Sequence, residues 1–276
     1  MRYKTGLSYE QGEIIDMCVS ERYEISVLIS TYNDRKLVDK KLREVEAQTA
    51  FSRSEFIFVE AASPGNEREL LEPFCEQYEN CRLITLEKRI SLYRAWNIGW
   101  NEASAPLACI SNMDDMMHPK LLEFVLDSGS IDSWDVATVL IAKQSANYDS
   151  NLWDYHRLNR LDLSKRPGPF FAWKRDLASD FGYFDTRFEI GGDKDFWARV
   201  SHCKLRIKLI PKILYLYTKH PTQLSKKPEF RQKKLDDRQV GNEKEYPHAW
   251  PLSHIYKMRL YCYLRKIPFL ERLFLA

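Results

Sequence analysis

The first 110 residues alternate short apolar runs with amphipathic stretches, and this alternation limits the fold more than any other feature. Runs rich in β-branched and apolar residues have the length of buried strands at 25–30, 56–59, 82–86 and 107–111. Stretches with apolar residues at helical spacing occupy 36–48, 67–78 and 91–103. Strands and helices that alternate at this pitch build a parallel sheet with helices on both faces. The sequence therefore predicts an α/β fold.

Polar residues directly follow three of these strands. Residues 30–33 follow the first strand, 60–63 the second, and the acid pair Asp114-Asp115 the fourth. Because parallel sheets bind ligands at the carboxyl ends of their strands, we expect these loops to converge on one crevice. Two adjacent carboxylates need a counter-cation, and Mg²⁺ or Mn²⁺ bound together with phosphate oxygens is a common arrangement. The alternative is a solvated acidic turn closed by Pro119.

The composition is that of a globular protein with a full core. At 276 residues, 44% hydrophobic and 29% charged, the chain is long enough to fold without disulfides. Its six cysteines include no CxxC pair, which argues against a zinc site or a disulfide framework and favours a reducing cytoplasm. We identify no signal peptide and no uncharged stretch long enough to cross a bilayer. The net charge of +3 does not predict nucleic-acid binding.

Beyond Pro119 the pattern becomes mixed. Residues 226–245 are highly charged and are expected to form a surface helix or a connector. The remaining predicted elements are strands at 136–141, 205–209 and 213–217, a turn-rich segment at 167–171, and a helix at 193–200.

The C-terminal residues 250–274 interleave aromatic side chains with lysine and arginine, and Pro268 splits them. Such a segment is expected either to lie on an anionic membrane surface or to pack on the catalytic domain or a second subunit. The predicted organisation is an N-terminal extension at 1–24, a domain at 25–225 with halves at 25–119 and 120–225, and a C-terminal extension at 226–276.

Several motifs resemble, in order and spacing, those of family 2 glycosyltransferases with the GT-A fold. They are the strand and loop at 26–33, Gln48-Thr49 with Glu55, the helix at 94–99, the acid pair within 113–115, and 181–185 followed by 192–199. The resemblance covers most of the chain, residues 25–225. It implies a Rossmann-like nucleotide-binding half with a mostly parallel sheet, an acceptor and catalytic half, and a helical, aromatic and basic C-terminal extension.

The resemblance also implies roles for particular residues. Asp115 is expected to bind Mn²⁺ or Mg²⁺, with His220 as a further ligand. Aromatic faces suit sugar rings, so Phe171, Trp173 and Trp197 are expected to line the donor or acceptor sugar unless they are core residues. The residues expected to contact the donor nucleotide are Ser30, Thr31, Tyr32, Asn33, Glu60, Arg94, Asn97 and Asp114.

Asp193 is the residue that the resemblance places as the catalytic base. An attacking acceptor hydroxyl must lose a proton, and a carboxylate opposite the leaving group can take it. Direct displacement assisted by one base inverts the anomeric centre, as the family does. The alternative is that Asp193 and Asp195 only form the acidic first turn of a helix, where the helix dipole stabilises them. Asp195 is expected to have this structural role.

Three positions depart from the family pattern. Ala61 stands where a second acidic residue usually contacts the base, and Arg94 stands where relatives often carry an acidic residue. Gly192 replaces the glutamate that commonly precedes the catalytic base. These changes leave the nucleotide open, with UDP as the default and GDP and dTDP as alternatives.

The leading hypothesis is a metal-dependent inverting glycosyltransferase that moves a sugar from a nucleotide-sugar donor to a glycan or lipid-linked acceptor in surface-polysaccharide synthesis. We expect it in the cytoplasm, with peripheral attachment to the inner face of the membrane through the C-terminal segment, and with no nucleic-acid partner. A second hypothesis is a nucleotidyltransferase, which would not need the segment at 192–199. A third is a non-catalytic binder of sugar nucleotides.

Overall fold

The computed structural model describes a large part of the chain, and the account below concerns that part. Residues 1–21 of the predicted N-terminal extension lie outside the described residues. Those described are 22–145, 153, 158, 161–221, 223, 230–244, 251–266 and 271–274.

The helices and strands follow the predicted alternation closely through the first half of the chain. The helices are α1 (Arg35–Glu46), α2 (Arg68–Gln77), α3 (Leu92–Glu102), α4 (Leu121–Leu126), α5 (Leu177–Asp180), α6 (Gly192–His202), α7 (Phe230–Asn242) and α8 (Leu252–Leu264). The strands are β1 (Ile25–Thr31), β2 (Ser54–Glu60), β3 (Cys81–Thr85), β4 (Leu107–Ile110), β5 (Met116–Met117), β6 (Val136–Ser145), β7 (Asp162–Leu163), β8 (Ala172–Lys174) and β9 (Ile207–Lys219).

The described strands form one nine-stranded sheet with the order β3-β2-β1-β4-β8-β6-β9-β5, and β7 pairs with β6. β3, β2, β1 and β4 are parallel, with Val27 opposite both Phe56 and Cys109. The carboxyl ends of these four strands therefore meet at one edge. This confirms the predicted parallel sheet with helices on both faces.

The second half of the sheet is mixed, and one prediction there was wrong. We predicted separate strands at 205–209 and 213–217. The structure has the single strand β9, which pairs with β6 in parallel on both sides of a register shift at Pro211 and Lys212. A bulge accommodates the missing N–H of proline inside a continuous strand. The short strands β5, β7 and β8 had no sequence signal of their own.

Alternating side chains of the central strands separate the core into two layers. On one face, Val27 and Phe56 pack with α1, α2 and α4; on the other, Leu28 and Ile57 pack with α3 and α6. This period of two is what a strand buried on both faces requires. Gly99 allows α3 to lie close to the sheet. A Cβ at this position would lie only 3.2 Å from the Leu28 side chain.

The C-terminal helix α8 packs on the domain. The ring of His254 stacks on that of Trp197 in α6, with centroids 5.8 Å apart and planes 11° from parallel. Among the described residues no helix is both long enough and apolar enough to cross a membrane. The helix α7 occupies the charged region that we predicted to be a surface helix or connector.

Candidate active site

The loops that follow β1 and β2 are held against each other by hydrogen bonds. The Ala61 N–H donates to the Thr31 carbonyl at 3.2 Å, and the Asn33 N–H donates to the Ser63 Oγ at 2.8 Å. Asn33 and Ala62 adopt left-handed backbone conformations, with φ of 61° and 53°. Non-glycine residues enter this region only at an energetic cost. The sharp reversals keep both loops at the carboxyl edge of the sheet.

Several predicted nucleotide-binding residues lie in these two loops. Ser30 and Tyr32 are half-buried, and the Arg89 guanidinium lies 4.4 Å from the centroid of the Tyr32 ring. The Glu60 side chain is buried, and its carboxylate accepts a hydrogen bond from the Ser63 N–H. Glu60 therefore caps its own loop. Contact between these residues and a nucleotide stays a prediction.

Asp34 is a candidate site residue that the sequence reasoning missed, because we treated it only as part of a turn. Its backbone N–H donates to the Glu67 carboxylate, and its Oδ2 lies 3.4 Å from the Tyr32 N–H. Burial, together with the negative charges of Asp114 and Glu67, raises the pKa of Asp34 to about 6. Asp34 therefore lies within electrostatic range of the acid pair. Its position immediately after a strand end was the available signal.

Asp115 is buried, with 1% of its surface exposed. Its Oδ2 accepts hydrogen bonds from Asn112 Nδ2 at 3.1 Å and from the Tyr215 hydroxyl at 3.2 Å, and its Oδ1 accepts one from the Thr218 N–H at 2.9 Å. Burial raises the pKa of Asp115, and the charge of Asp114 adds to this shift. The carboxylate therefore anchors the loop after β4 to β9.

Asp114 is more accessible than its neighbour and contacts a histidine. Its side chain is 28% exposed, and its Oδ2 lies 2.8 Å from Nε2 of His220. The family resemblance implies that Asp115 binds the metal, and that Asp114 contacts the ribose of the donor nucleotide or reaches the metal through water. Protein donors bind both oxygens of Asp115 in the structure, and metal binding by Asp115 stays a prediction. Asp114 is the more accessible carboxylate of the pair, and His220 lies beside it.

The Asp114 and His220 side chains fit a divalent cation. Oδ2 of Asp114 and Nε2 of His220 form a hydrogen bond of 2.8 Å. Neighbouring ligand atoms of a cation with bonds of about 2.1 Å lie about 3 Å apart, so a cation could replace the proton of this hydrogen bond with little movement of either side chain. The described residues contain no group of three or more His, Cys, Asp or Glu that could hold a metal. Two protein ligands leave positions for phosphate oxygens and water. An imidazole beside a carboxylate suits Mn²⁺ better than Mg²⁺.

A buried ion pair holds α1 against the acid-pair loop. The Lys41 side chain is 1% exposed, and its Nζ donates to Glu44 Oε1 at 2.8 Å, to Ser111 Oγ at 3.1 Å and to the Asp115 carbonyl at 3.0 Å. Glu44 Oε1 also accepts the Met117 N–H at 2.9 Å. Lys41 and Glu44 therefore contact the chain on both sides of the acid pair. The sequence showed them only as members of a helix.

Asp193 is the second residue of α6 and is half-buried. The preceding Gly192 leaves room for the Tyr93 ring, because a Cβ there would lie 2.8 Å from three ring carbons. The Tyr93 hydroxyl donates to the Ile190 carbonyl at 2.6 Å. Burial raises the pKa of Asp193 to about 6, although the Lys194 N–H favours the charged form. A pKa in this range suits a general base near neutral pH.

Asp237 of α7 fixes the loop that leads into Asp193. Its buried carboxylate accepts three backbone hydrogen bonds, from the N–H groups of Glu189 at 2.8 Å, Ile190 at 2.9 Å and Gly191 at 2.7 Å. Its negative charge also raises the pKa of Asp193. Sequence reasoning missed Asp237, because it lies in a charged stretch that resembles a solvated surface.

The other acidic residue of α6 has a structural environment. Asp195 is fully buried and pairs with Arg199 Nε at 3.0 Å and with Lys244 Nζ at 3.5 Å. Arg199 in turn donates to the carbonyls of Phe181 and Gly182 at 2.7 and 3.1 Å. These contacts fix α6 to the segment before it, as we expected of Asp195.

Tyr217 of β9 shows that the acid pair and Asp193 share one neighbourhood. Its half-buried hydroxyl accepts a hydrogen bond from Gln223 Nε2 at 2.9 Å. Burial raises the pKa of Tyr217, and the charges of Asp115, Asp114 and Asp193 each raise it further. One phenol therefore lies within electrostatic range of both groups, which are far apart in sequence.

The three aromatic residues predicted to line a sugar are core residues instead. Phe171, Trp173 and Trp197 are all 0% exposed. The Phe171 ring lies 5.4 Å from that of Trp173 and 5.3 Å from that of Trp197, within the layer that covers α3 and α6. A ring with no exposed surface offers no face to a ligand. The prediction of sugar contact by these residues is therefore wrong.

Two predicted residues of α3 have different environments. Asn97 donates from Nδ2 to the Phe184 carbonyl at 2.8 Å and accepts the Phe184 N–H at 2.9 Å. This pairing gives Asn97 a structural role, and its contact with a nucleotide stays a prediction. Arg94 is exposed in the first turn of α3, beside the carboxyl edge of the sheet, and its phosphate contact stays a prediction.

The fold and the site together define a glycosyltransferase with the GT-A fold, as the order of motifs predicted. The model of the family described as Glycosyl transferase family 2 matches residues 26–190, more than half of the chain. The chain belongs to this family.

Relatives in sequence and structure agree with this assignment. Glycosyltransferase AglE of Haloferax volcanii is 22% identical over 217 residues, which are 75% of this chain and 71% of AglE. S. aureus TarS 1–349 in complex with UDP superposes with a TM-score of 0.57 and 16% identity, covering 88% of this chain and 71% of that chain. Mannosyltransferase PcManGT from Pyrobaculum calidifontis, solved with GDP-Man and Mn²⁺, superposes with a TM-score of 0.57 and 15% identity. The match covers 88% of this chain and 71% of PcManGT.

We predict that Lys41→Met lowers the free energy of unfolding by about 3–5 kcal/mol, because Glu44 would remain buried without its counter-charge. Urea denaturation measures this change. The control is Lys36→Met on the same helix, where the side chain is exposed and the expected change is within about 0.5 kcal/mol. A loss below about 1 kcal/mol for Lys41→Met would contradict a stabilising role for the pair.

We also predict that Asp237→Asn lowers kcat/KM on the order of tenfold or more, because the loop before Asp193 would lose its fixed position. Since the charge of Asp237 raises the pKa of Asp193, the acidic limb of the pH profile should move to lower pH. Steady-state kinetics across pH measures both effects. The neighbouring Asp236→Asn is the control, because Asp236 is exposed and pairs with Gln232. An unmoved acidic limb would leave Asp237 with a purely structural role.

Proposed function

We propose that the protein is an inverting, metal-dependent glycosyltransferase. It transfers a sugar from a nucleoside-diphosphate sugar to a hydroxyl of a glycan or a lipid-linked acceptor in surface-polysaccharide synthesis. The observation that carries the proposal is Tyr217, whose hydroxyl lies within electrostatic range of the acid pair and of Asp193. In this proposal the donor diphosphate binds at the acid pair and the acceptor hydroxyl binds beside Asp193, with the transferred sugar between them.

The donor nucleotide would bind in the loops after β1 and β2. Ser30 to Asn33 and the Glu60 loop lie at the carboxyl edge of the sheet, with Asp34 and Arg94 beside them. Nucleoside diphosphates and their sugars are bound in the structural neighbours, as UDP and UDP-GlcNAc in TarS and GDP-Man in PcManGT. UDP is the default for this chain, and GDP and dTDP are the alternatives to test.

The metal in this proposal is Mn²⁺, held by Asp114 and His220. A divalent cation supplies charge stabilisation to the phosphate oxygens as the nucleoside diphosphate leaves. Asp115 and Lys41 do not contact the substrate in this proposal. They hold the main chain of Asp114 in place through the hydrogen bonds described above. The presence of Mn²⁺ in PcManGT supports this choice of metal.

Asp193 acts as the general base. As the acceptor hydroxyl attacks the anomeric carbon, the carboxylate of Asp193 takes its proton, and the bond to the diphosphate breaks. One displacement without a covalent intermediate inverts the anomeric centre. Burial favours the uncharged form of the carboxyl group in the free enzyme, which keeps its pKa near 6 and makes it a stronger base than an exposed aspartate.

The cellular location in this proposal is the cytoplasm. The described cysteines Cys75, Cys81, Cys109, Cys203 and Cys262 are all free thiols, which supports a reducing compartment.

We predict that kcat/KM falls about tenfold for each pH unit below 6, because only the deprotonated Asp193 accepts a proton and its folded pKa is raised to about 6. Release of nucleoside diphosphate from a panel of donors, with acceptor present, measures kcat/KM at each pH.

Asp193→Asn should lower kcat by about 10²–10⁴-fold and remove the acidic limb of the pH profile, yet keep nucleotide binding. The exposed Asp180→Asn is the control. Retained transfer in Asp193→Asn would refute the base assignment.

We further predict that His220→Ala weakens Mn²⁺ binding on the order of tenfold or more, because one of two protein ligands is lost. Isothermal titration of Mn²⁺ in the presence of UDP, GDP or dTDP measures the affinity. The nucleotide that raises the melting temperature of the protein most identifies the preferred nucleobase of the donor. His202→Ala, at the exposed end of α6, is the control. Equal affinity in the two variants would contradict the assignment of His220.

A further inference from the structure

The C-terminal helix α8 carries two apolar faces on opposite sides. Its outer face consists of Leu252, Tyr256, Leu260 and Tyr263, which are 68%, 67%, 54% and 68% exposed. At 100° per residue these four side chains fall within an arc of about 80°. Large apolar side chains exposed as a continuous stripe are unusual on a soluble surface and indicate an interaction site. We call this stripe the outer face of α8.

The inner face of α8 is already occupied. His254, Ile255 and Met258 are buried, and His254 stacks on Trp197. Arg265, just beyond the helix, donates to the Leu158 carbonyl at 3.2 Å. These contacts fix the rotation of the helix about its axis. The outer face therefore cannot turn inward to join the core without losing the contacts of the inner face.

Basic residues flank the outer face, and the sequence around them lacks acidic residues. Lys257, Arg259 and Lys266 are exposed. At 100° per residue, Arg259 lies along one border of the stripe and Lys257 beyond the other, and Lys266 follows the end of the helix. No Asp or Glu occurs from residue 246 to residue 270. The outer face of α8 therefore has leucine and tyrosine side chains along its middle and cationic side chains at its borders.

We infer that the outer face of α8 binds an anionic lipid bilayer. A helix with this pattern lies in the plane of the interface, with its leucines at the boundary of the acyl chains and its tyrosines at the level of the headgroups. The flanking Lys and Arg side chains contact lipid phosphates. A second copy of the chain fits less well, because pairing two such faces would bring their cationic borders together without counter-charges.

Binding of α8 to a bilayer rests on the proposed function in one respect, since it would bring the enzyme to a lipid-linked acceptor. Binding to the bilayer itself does not require sugar transfer. The inner face of α8 contacts α6, the helix that begins beside Asp193. The bilayer and the candidate base are thus linked by two packed helices. Vesicle binding by Asp193→Asn should equal that of the unchanged protein, so failure of the base assignment and failure of this inference are separable.

Co-sedimentation with vesicles tests the inference. The full chain should bind phosphatidylcholine vesicles that contain about 30% phosphatidylglycerol and bind pure phosphatidylcholine much less, and added salt should weaken the binding. Tyr256→Ser/Leu260→Ser should reduce the partition coefficient on the order of tenfold or more. Lys257→Gln/Arg259→Gln should reduce it roughly twenty-fivefold, at about fivefold for each charge.

The matched control is Leu235→Ser, which removes an exposed leucine from α7 (52% exposed) and should leave vesicle binding unchanged. Melting temperatures of all variants check that they fold. Absence of binding to the anionic vesicles, or equal binding by Tyr256→Ser/Leu260→Ser, would overturn the inference. A dimer in light scattering that this double variant dissociates would assign the face to a second copy instead.

Discussion

The candidate active site depends on a buried carboxylate whose two oxygens both accept hydrogen bonds from the protein. Asp115 takes three hydrogen bonds from the loop before it and from β9, and Lys41 binds its carbonyl from α1. These bonds connect three separate elements at a single residue. Because hydrogen bonds hold Asp115 in place, its neighbour Asp114 faces His220 in a fixed position. Rigid support of this kind is what keeps a binding group in place before the ligand arrives.

Charge is distributed in the site according to burial. Asp115 and Asp193 both lie where burial favours the uncharged carboxyl, whereas Asp114 remains partly solvated beside an imidazole. Groups of one chemical type can therefore support the fold, bind a cation and accept a proton. This separation of roles by environment is a general feature of sites with several carboxylates.

Much of the sheet could be predicted from the sequence, because the uninterrupted apolar runs of β1 and β2 indicate strands buried on both faces. The bulge of β9 could not, since it depends on β6 tolerating a shift opposite Pro211. At the site, the acid pair and Asp193 were visible as local motifs. The sequence does not show that Asp115 is the buried member of the pair, or that Asp237 supports the loop before Asp193. Both features arise from packing between segments that are distant in sequence.

Position 192 is sterically coupled to position 93. The Tyr93 ring occupies the space that any side chain at Gly192 would need, and its hydroxyl is bound to the Ile190 carbonyl. A homologue with a glutamate before the base must therefore carry a smaller residue at the equivalent of Tyr93 or displace that ring. The two positions should covary among homologues, and the tyrosine–glycine pair would mark a distinct subgroup.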